Sequence, residues 1–479
     1  MLKDDILKFV NAKADKTIQL AKDIWGYAEM QYAEFKSSKA LIDALEEEGF
    51  TVESGIADMP TAFKATYVVG NGKPKLALLG EYDALDAMSQ VAAQPKREAI
   101  DPGAPGHGCG HNLLGAGSFA AAAALKDYLI ANNGNATIMY FGCPAEEGAG
   151  AKQFIARAGY FDDIDFVYTW HPSTMNQISS KSNVAIIGAN FIFDGVSSHP
   201  GSAPHLGRSA LDAAELMNVG CNYLREHMID QARVHYAYSD AGGTFPNVIP
   251  SHAVIKYEVR APKVAQMREL FARVVDIARG AALMTGTKMN YEITMAFSDF
   301  VQNKTLAAVM QESFEEAGVP DWTDDDYKLA SEFLRTYSKD TLIGIKEGLK
   351  VYFDEDEIDE VLLKPMDTRI HGFDPKEDTY ISGSTDVGDV GYAAPTVELK
   401  VASACIGNVN HSWQNTAFMC SNIGFKGMMK AVEVLVLACV KTIERPEVIE
   451  KAKKELLKKN GGKYSCPLPA DVKPPIGRY

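Results

Sequence analysis

The sequence predicts an α/β protein: a mixed, largely parallel sheet with flanking helices, carrying an inserted two-layer α+β domain. Three observations predict it. Strand-like and helix-like segments alternate up to about residue 171, the order that builds a parallel sheet. Polar residues gather where those strands end, the place where open α/β sheets bind ligands. From Ala185 the rhythm changes to β-α-β-α-β, which suits a smaller two-layer unit. A chain of 479 residues exceeds one typical core. The expected division is therefore a larger domain made of 1–184 and 299–479, interrupted by a domain at 185–298.

Taken in order, residues 4–50 read as two amphipathic helices, with Ile6, Phe9 and Val10 on one face and Ala40, Leu41, Leu45 and Phe50 on another. Segments 63–69 and 75–79 read as strands of a hairpin turning through Asn71-Gly72-Lys73-Pro74. The second strand runs into Gly80-Glu81-Tyr82-Asp83. A Gly/Pro-rich loop at 101–110 precedes an Ala-rich helix at 113–129. Residues 136–141 form a strand, followed closely by Pro144-Ala145-Glu146-Glu147-Gly148. After a short helix, 166–170 form a strand that ends at His171. In the inserted region, 185–194, 252–260 and 288–296 read as strands, and 209–225 and 264–283 as helices. Residues 320–380 are acidic and irregular and yield no assignment. Residues 423–442 form a closing helix, and the Pro-rich tail from Pro467 is expected to drape over the surface.

Composition narrows the function. A net charge of -15 lacks the basic footprint that a nucleic-acid backbone requires, whereas an acidic surface serves solubility. The N-terminus lacks the order of a signal peptide. The apolar runs 120–125 and 434–440 are too short to span a bilayer. Seven unpatterned cysteines, at 109, 143, 221, 405, 420, 439 and 466, read as reduced thiols of a cytoplasmic protein without a membrane partner.

Five residues carry chemistry: Cys109 and His111 in Gly-His-Gly-Cys-Gly-His, then Glu147, His171 and His411. A thiolate, three imidazoles and a carboxylate are ligand types that Zn, Mn or Co accept. Cys-x-His alone is a weak signal, but the joint pattern at strand ends and Gly-rich loops is stronger. Adjacent carboxylates at Glu146-Glu147 repel unless a cation lies nearby. With Glu147 on a metal, Glu146 is free to act as general base toward water. A solvated helix start explains the same pair equally well on local sequence.

Gly-Cys-Gly-His, Pro-Ala-Glu-Glu-Gly, Trp-His-Pro, Ser-Ser-His-Pro-Gly and Gly-Gly-Thr-Phe-Pro-Asn-Val-Ile-Pro occur in one order. In that order the chain resembles the aminoacylase/hippurate-hydrolase branch of the two-metal peptidases related to glutamate carboxypeptidase. The likeness runs from about Ile18 to Lys430. It implies a zinc-peptidase-like catalytic domain and an inserted lid and dimerisation domain. It also implies two divalent ions, Zn or Mn or else Co, bridged by Cys109 and completed by His111, Glu147, His171 and His411. Glu146 would be the base and Asp83 would orient a ligand. His199 would reach a partner subunit's site to steady the oxyanion, and Asn247 and Arg260 would hold the substrate's carbonyl or carboxylate. One departure is Asn112, where the branch commonly has Asp.

Without the resemblance, His199 reads as the cap of a turn, with His205 close by, and Arg260 as a surface ion pair. Gly383-Ser384-Thr385-Asp386 reads as a wall of the site or as a simple turn. The resemblance implies a metal-dependent hydrolase of the amide bond in an N-acyl or aminobenzoyl amino acid or a small dipeptide. It further implies a homodimer, or pairing with a homologous second subunit. The rivals are a metal-dependent aminopeptidase or deacetylase using the same residues, and a non-catalytic binding subunit.

Overall fold

The computed structural model describes residues 2–377 and 379–477. Numbered in chain order, the N-terminal helices are α1 (Leu2–Asn11), α2 (Ala14–Tyr27) and α3 (Phe35–Glu47), three where the sequence predicts two. The extra break lies at residues 12–13, next to α1. Strands β1 (Thr51–Ser54), β2 (Phe63–Val69) and β3 (Lys75–Glu81) follow, then α4 (His111–Ala131), β4 (Ala136–Cys143), α5 (Lys152–Arg157), β5 (Phe166–Ser173) and the short β6 (Gln177–Ile178) and β7 (Ser182–Asn183). The next stretch holds β8 (Ala185–Asp194), α6 (Ala210–Leu224), β9 (Arg233–Asp240), β10 (His252–Ala261), α7 (Val264–Thr285) and β11 (Lys288–Phe297). The chain closes with α8 (Lys304–Ala317), α9 (Asp324–Leu334), α10 (Lys339–Leu349), α11 (Glu355–Leu363), β12 (Tyr380–Ile381), α12 (Val387–Ala393), β13 (Thr396–Ala402), α13 (Trp413–Phe418), α14 (Asn422–Ile443) and α15 (Pro446–Asn460).

Among the described residues the main sheet has seven strands in the order β1-β2-β4-β3-β5-β13-β6. Its centre, β4-β3-β5-β13, is parallel. Leu76 and Leu78 face one core while Ala77 and Leu79 face another, the two-residue period of a strand. That burial on both faces explains the unbroken apolar run Leu-Ala-Leu-Leu. Helices α4 and α14 cover one face, with α2 packed on α4, and α4 is buried nearly all round. It is long and apolar enough to cross a membrane, yet 89% of its most apolar window lies inside the protein.

The expected hairpin is not formed. Strand β4 lies between β2 and β3, pairing antiparallel with β2 and parallel with β3. The reason is burial: Ile138 and Tyr140 face one core and Phe141 and Cys143 the other, so β4 belongs inside the sheet. The linker 70–74 only has to step over one strand, a span of about 10 Å that five residues reach easily.

A second sheet runs β11-β8-β10-β9, all antiparallel, with α6 and α7 against one face. Strand β9 is absent from the sequence-based expectation, although Val234, Tyr236 and Tyr238 alternate as a strand should. It is an edge strand, largely exposed. The unassigned acidic stretch contains α9, α10 and α11, whose first turns carry Asp and Glu. The tail lies over the surface, mostly exposed from Pro469 onward, and Pro469 and 471–475 line a cleft there.

Helix α4 touches the end of β3 at Gly115, where an added Cβ would lie 2.6 Å from the carbonyl oxygen of Glu81. Gly115→Ala should therefore push the helix off the strand end and destabilise the protein by about 1–3 kcal/mol, measured by denaturant unfolding. Metal affinity should fall with it.

Candidate active site

The site forms where β3, β4 and β5 end and α4 begins. Gly110 precedes α4 in a left-handed conformation, φ 87°. A side chain there would come within 2.5 Å of Met419 Sδ, so only glycine lets Cys109 and His111 approach the core together. Two non-glycine residues of the site, Ala145 and His411, also take left-handed backbone at φ 59° and 53°. Such conformations persist where the surroundings enforce them. Glu34 enforces the first by accepting the Ala145 N–H at 3.0 Å. The carbonyl of Gly108 enforces the second, accepting from the His411 N–H at 3.1 Å and from Asn415 Nδ2 at 2.6 Å.

Asp83 organises the centre. Its Oδ1 accepts from His111 Nδ1 at 2.8 Å, and its Oδ2 from the Glu147 N–H at 2.8 Å. His171 donates Nδ1–H to the carbonyl of Pro172 at 2.7 Å, and its Nε2 stands 3.5 Å from Cys109 Sγ. In both histidines Nδ1 is fixed by an acceptor, so the neutral ring presents Nε2 as a lone-pair donor. His411 Nε2 lies 3.2 Å from Glu147 Oε1.

The electrostatics favour a cation. Burial, reinforced by Glu147, pushes the Cys109 thiol well above its usual range. Burial likewise pushes Glu146 well above the carboxylate range, with Glu81 and Glu147 adding to it. Burial opposes ionisation of Glu147, but His411 and His111 outweigh it and hold that carboxyl at about 2. His111 is disfavoured as a cation by burial, yet Asp83 and Cys109 lift it well above its usual value. Among the described residues, Glu81 Oε2, His111 Nε2 and Glu147 Oε1 are buried without a hydrogen-bond partner. Buried polar atoms are rarely left so. Two groups of donors fit a metal: Cys109, His111 and His171, and Cys109, Glu147 and His411, each with its atoms within 4.8 Å of one another. A third is Glu81, His111 and Glu146. The soft and borderline donors suit a transition ion such as Zn.

Of the sequence-predicted residues, Asp83, Cys109, His111, Glu146, Glu147, His171 and His411 converge. Arg260 lines the cleft, bound to Glu258 Oε2 at 3.0 Å and near Ser384 Oγ at 3.4 Å. His199 and Asn247 are outside the cleft lining of this single chain. His199 Nδ1 accepts the N–H groups of Gly201 and Ser202, the turn-capping role that local sequence favours. Asn112 gives its side-chain amide to the carbonyls of Ala21 and Met419. An Asp could not donate there. Sequence reasoning missed Lys152, Glu34 and any role for Glu81. The signal for Lys152 was a lone cation in Ala-Gly-Ala-Lys-Gln-Phe, beside the metal motif.

Glu146, Glu147 and His411 line a cleft of about 1500 Å³. Fold and site together define a metal-dependent hydrolase. Residues 77–347 match peptidase family M20/M25/M40. The chain is 35% identical to one of the subunits of p-aminobenzoyl-glutamate hydrolase of Escherichia coli, covering 97% of both chains. It is 28% identical to Xaa-Arg dipeptidase of Mus musculus, over 95% of this chain and 92% of that one. A dinuclear metal-binding peptidase of the M20 family from Bacillus subtilis shares the fold, with a TM-score of 0.58 and 15% identity over 91% of this chain and 99% of that one. The chain belongs to the M20 peptidase family and is a hydrolase of amide bonds.

Asp83→Ala frees the His111 ring and the Glu147 backbone at once. Metal affinity should drop about 10–100-fold, read by competition with a chelator.

Proposed function

We propose that this protein cleaves the amide bond of an N-acyl or aminobenzoyl amino acid, or of a small dipeptide, with two divalent ions held by Cys109, His111, Glu147, His171 and His411. The observation that carries the reading is that Cys109 Sγ belongs to two of the three metal-compatible groups, as a ligand shared by two ions would. Bound there, Zn, Mn or Co ions would polarise the scissile carbonyl and lower the pKa of a water from about 15.7 toward roughly 7. Asp83 holds the His111 ring and the Glu147 backbone in place. Glu146, on the cleft wall, accepts the water's proton and returns it to the leaving amine. Arg260, facing the same cleft, meets the carboxylate of the amino-acid product.

Residues 185–298 then act as an inserted lid that pairs two copies of the chain, or this chain with a homologous subunit. Support comes from apolar side chains left exposed on α6, with Val219 at 48% and Tyr223 at 75%, beside the edge strand β9. In such a dimer His199 and Asn247, which stand off their own cleft, serve the partner's. The Escherichia coli hydrolase favours a two-subunit arrangement, because two differently named subunits of it both resemble this chain, at 35% and 25% identity. The compartment proposed is the cytoplasm, since all seven cysteines, each among the described residues, are unpaired.

A hydrolysis screen of N-acyl amino acids and dipeptides with added Mn or Zn tests the reading, and turnover that survives complete metal removal contradicts it. Glu146→Gln should keep its metals and lose about 10²–10⁴-fold in kcat with little change in KM. Glu147→Gln should instead lose metal and recover part of its activity in excess metal. His199→Ala should lose about a hundredfold or more at normal metal content. Mixing it with Glu146→Gln should restore activity through hybrid dimers, and absence of restoration in a mixed dimer would sink the shared site.

A further inference from the structure

Glu81 ends β3 two residues before Asp83 and is buried. Its two oxygens have different surroundings. Oε1 accepts from the Lys152 ammonium at 2.7 Å, and the same ammonium pairs with Asp386 Oδ1 at 2.5 Å. Asp386 is itself fixed, with Oδ2 accepting the N–H groups of Ala151 and Lys152 at 2.9 and 3.0 Å. Lys152 and Asp386 are fully buried, so this is a rigid clamp on one oxygen. Oε2 points the other way. It lies 3.3 Å from His111 Nε2, and among the described residues neither atom has a hydrogen-bond partner. With His111 in the neutral form that a metal requires, its Nδ1 proton goes to Asp83 and two lone pairs face each other in the protein interior. That arrangement is repulsive unless a cation lies between them. Nitrogen and oxygen ligands at 2.0–2.2 Å from one tetrahedral ion are about 3.3 Å apart, the separation found here.

We propose that Glu81 is an additional oxygen ligand of the metal ion that His111 holds. The inference rests on the two-metal reading above and adds a carboxylate on the His111 side of the centre, where Glu81 groups with His111 and Glu146. Such a hard donor shifts that position toward Mn relative to a purely sulfur and nitrogen set. Lys152 fixes which oxygen faces the ion.

The test uses the full-length protein loaded with cobalt as a spectroscopic probe, and compares wild type with Glu81→Gln and Glu81→Asp. Equilibrium dialysis against a chelator reads the number and affinity of ions, and the visible spectrum reads coordination. Wild type should bind two ions with a thiolate-to-cobalt band. Both variants should keep one tight ion and bind the second about a hundredfold or more weakly, with an altered ligand-field spectrum when it is forced in. Glu81→Asp keeps the charge beside Lys152 but retracts the oxygen, so it decides the matter if the Gln variant fails to fold. Metal-free melting curves report folding in each. Two wild-type-affinity ions and an unchanged spectrum in the variants overturn the ligand assignment alone. A wild-type protein without thiolate-bound cobalt overturns the two-metal reading and this inference together.

Discussion

The Asp83 carboxylate is the contact on which the rest of the site depends. One oxygen sets the tautomer and direction of His111, and the other holds the backbone of Glu147. Two donors from different elements, the start of α4 and the loop after β4, are thereby locked to the end of a third, β3. Moving any of the three would separate groups that must stay within a few ångströms of one another. A buried carboxylate resists ionisation, and burial raises Asp83 accordingly, against the opposing pull of His111. It is retained because its acceptors are satisfied on both sides.

The surrounding fold makes that contact rigid. Residues Leu76, Leu78, Ile138 and Tyr140 pack under α4, whose run of alanines lets the helix lie close on the sheet. The left-handed backbone at Gly110, Ala145 and His411 bends three loops inward at the same end of that sheet. Charge is balanced locally: Lys152 sits between Glu81 and Asp386, and breaking such a buried set by removing one partner is far more damaging than its net worth suggests. What stays unbalanced without a cation is the cluster of Cys109, Glu146 and Glu147.

Much of this is legible in the chain. Cys109, His111, Glu147, His171 and His411 stand out because none of their segments has an apolar period that explains them, and all converge. The fold class follows from the alternation of strands and helices, which survives even though the 63–79 hairpin does not. That error has a physical origin: a turn signal gives local reversal but not the neighbour, and β4, apolar on both sides, claims the inner place. Edge strand β9 escapes notice because its alternation lies in tyrosines that the structure leaves partly exposed. The clamp of Lys152 with Asp386 spans more than two hundred residues, and no local pattern could pair them. His199 and Asn247 remain apart from the donors within one chain, which is why their proposed role needs a partner.

In the proposed centre one sulfur, Cys109 Sγ, anchors two ions. Anomalous diffraction from crystals grown with Zn or Mn measures this directly. Two peaks about 3.5–4 Å apart are expected, both within bonding distance of Cys109 Sγ, one also reaching His111 and His171 and the other Glu147 and His411. A single peak, or peaks that do not share the Cys109 sulfur, would contradict it.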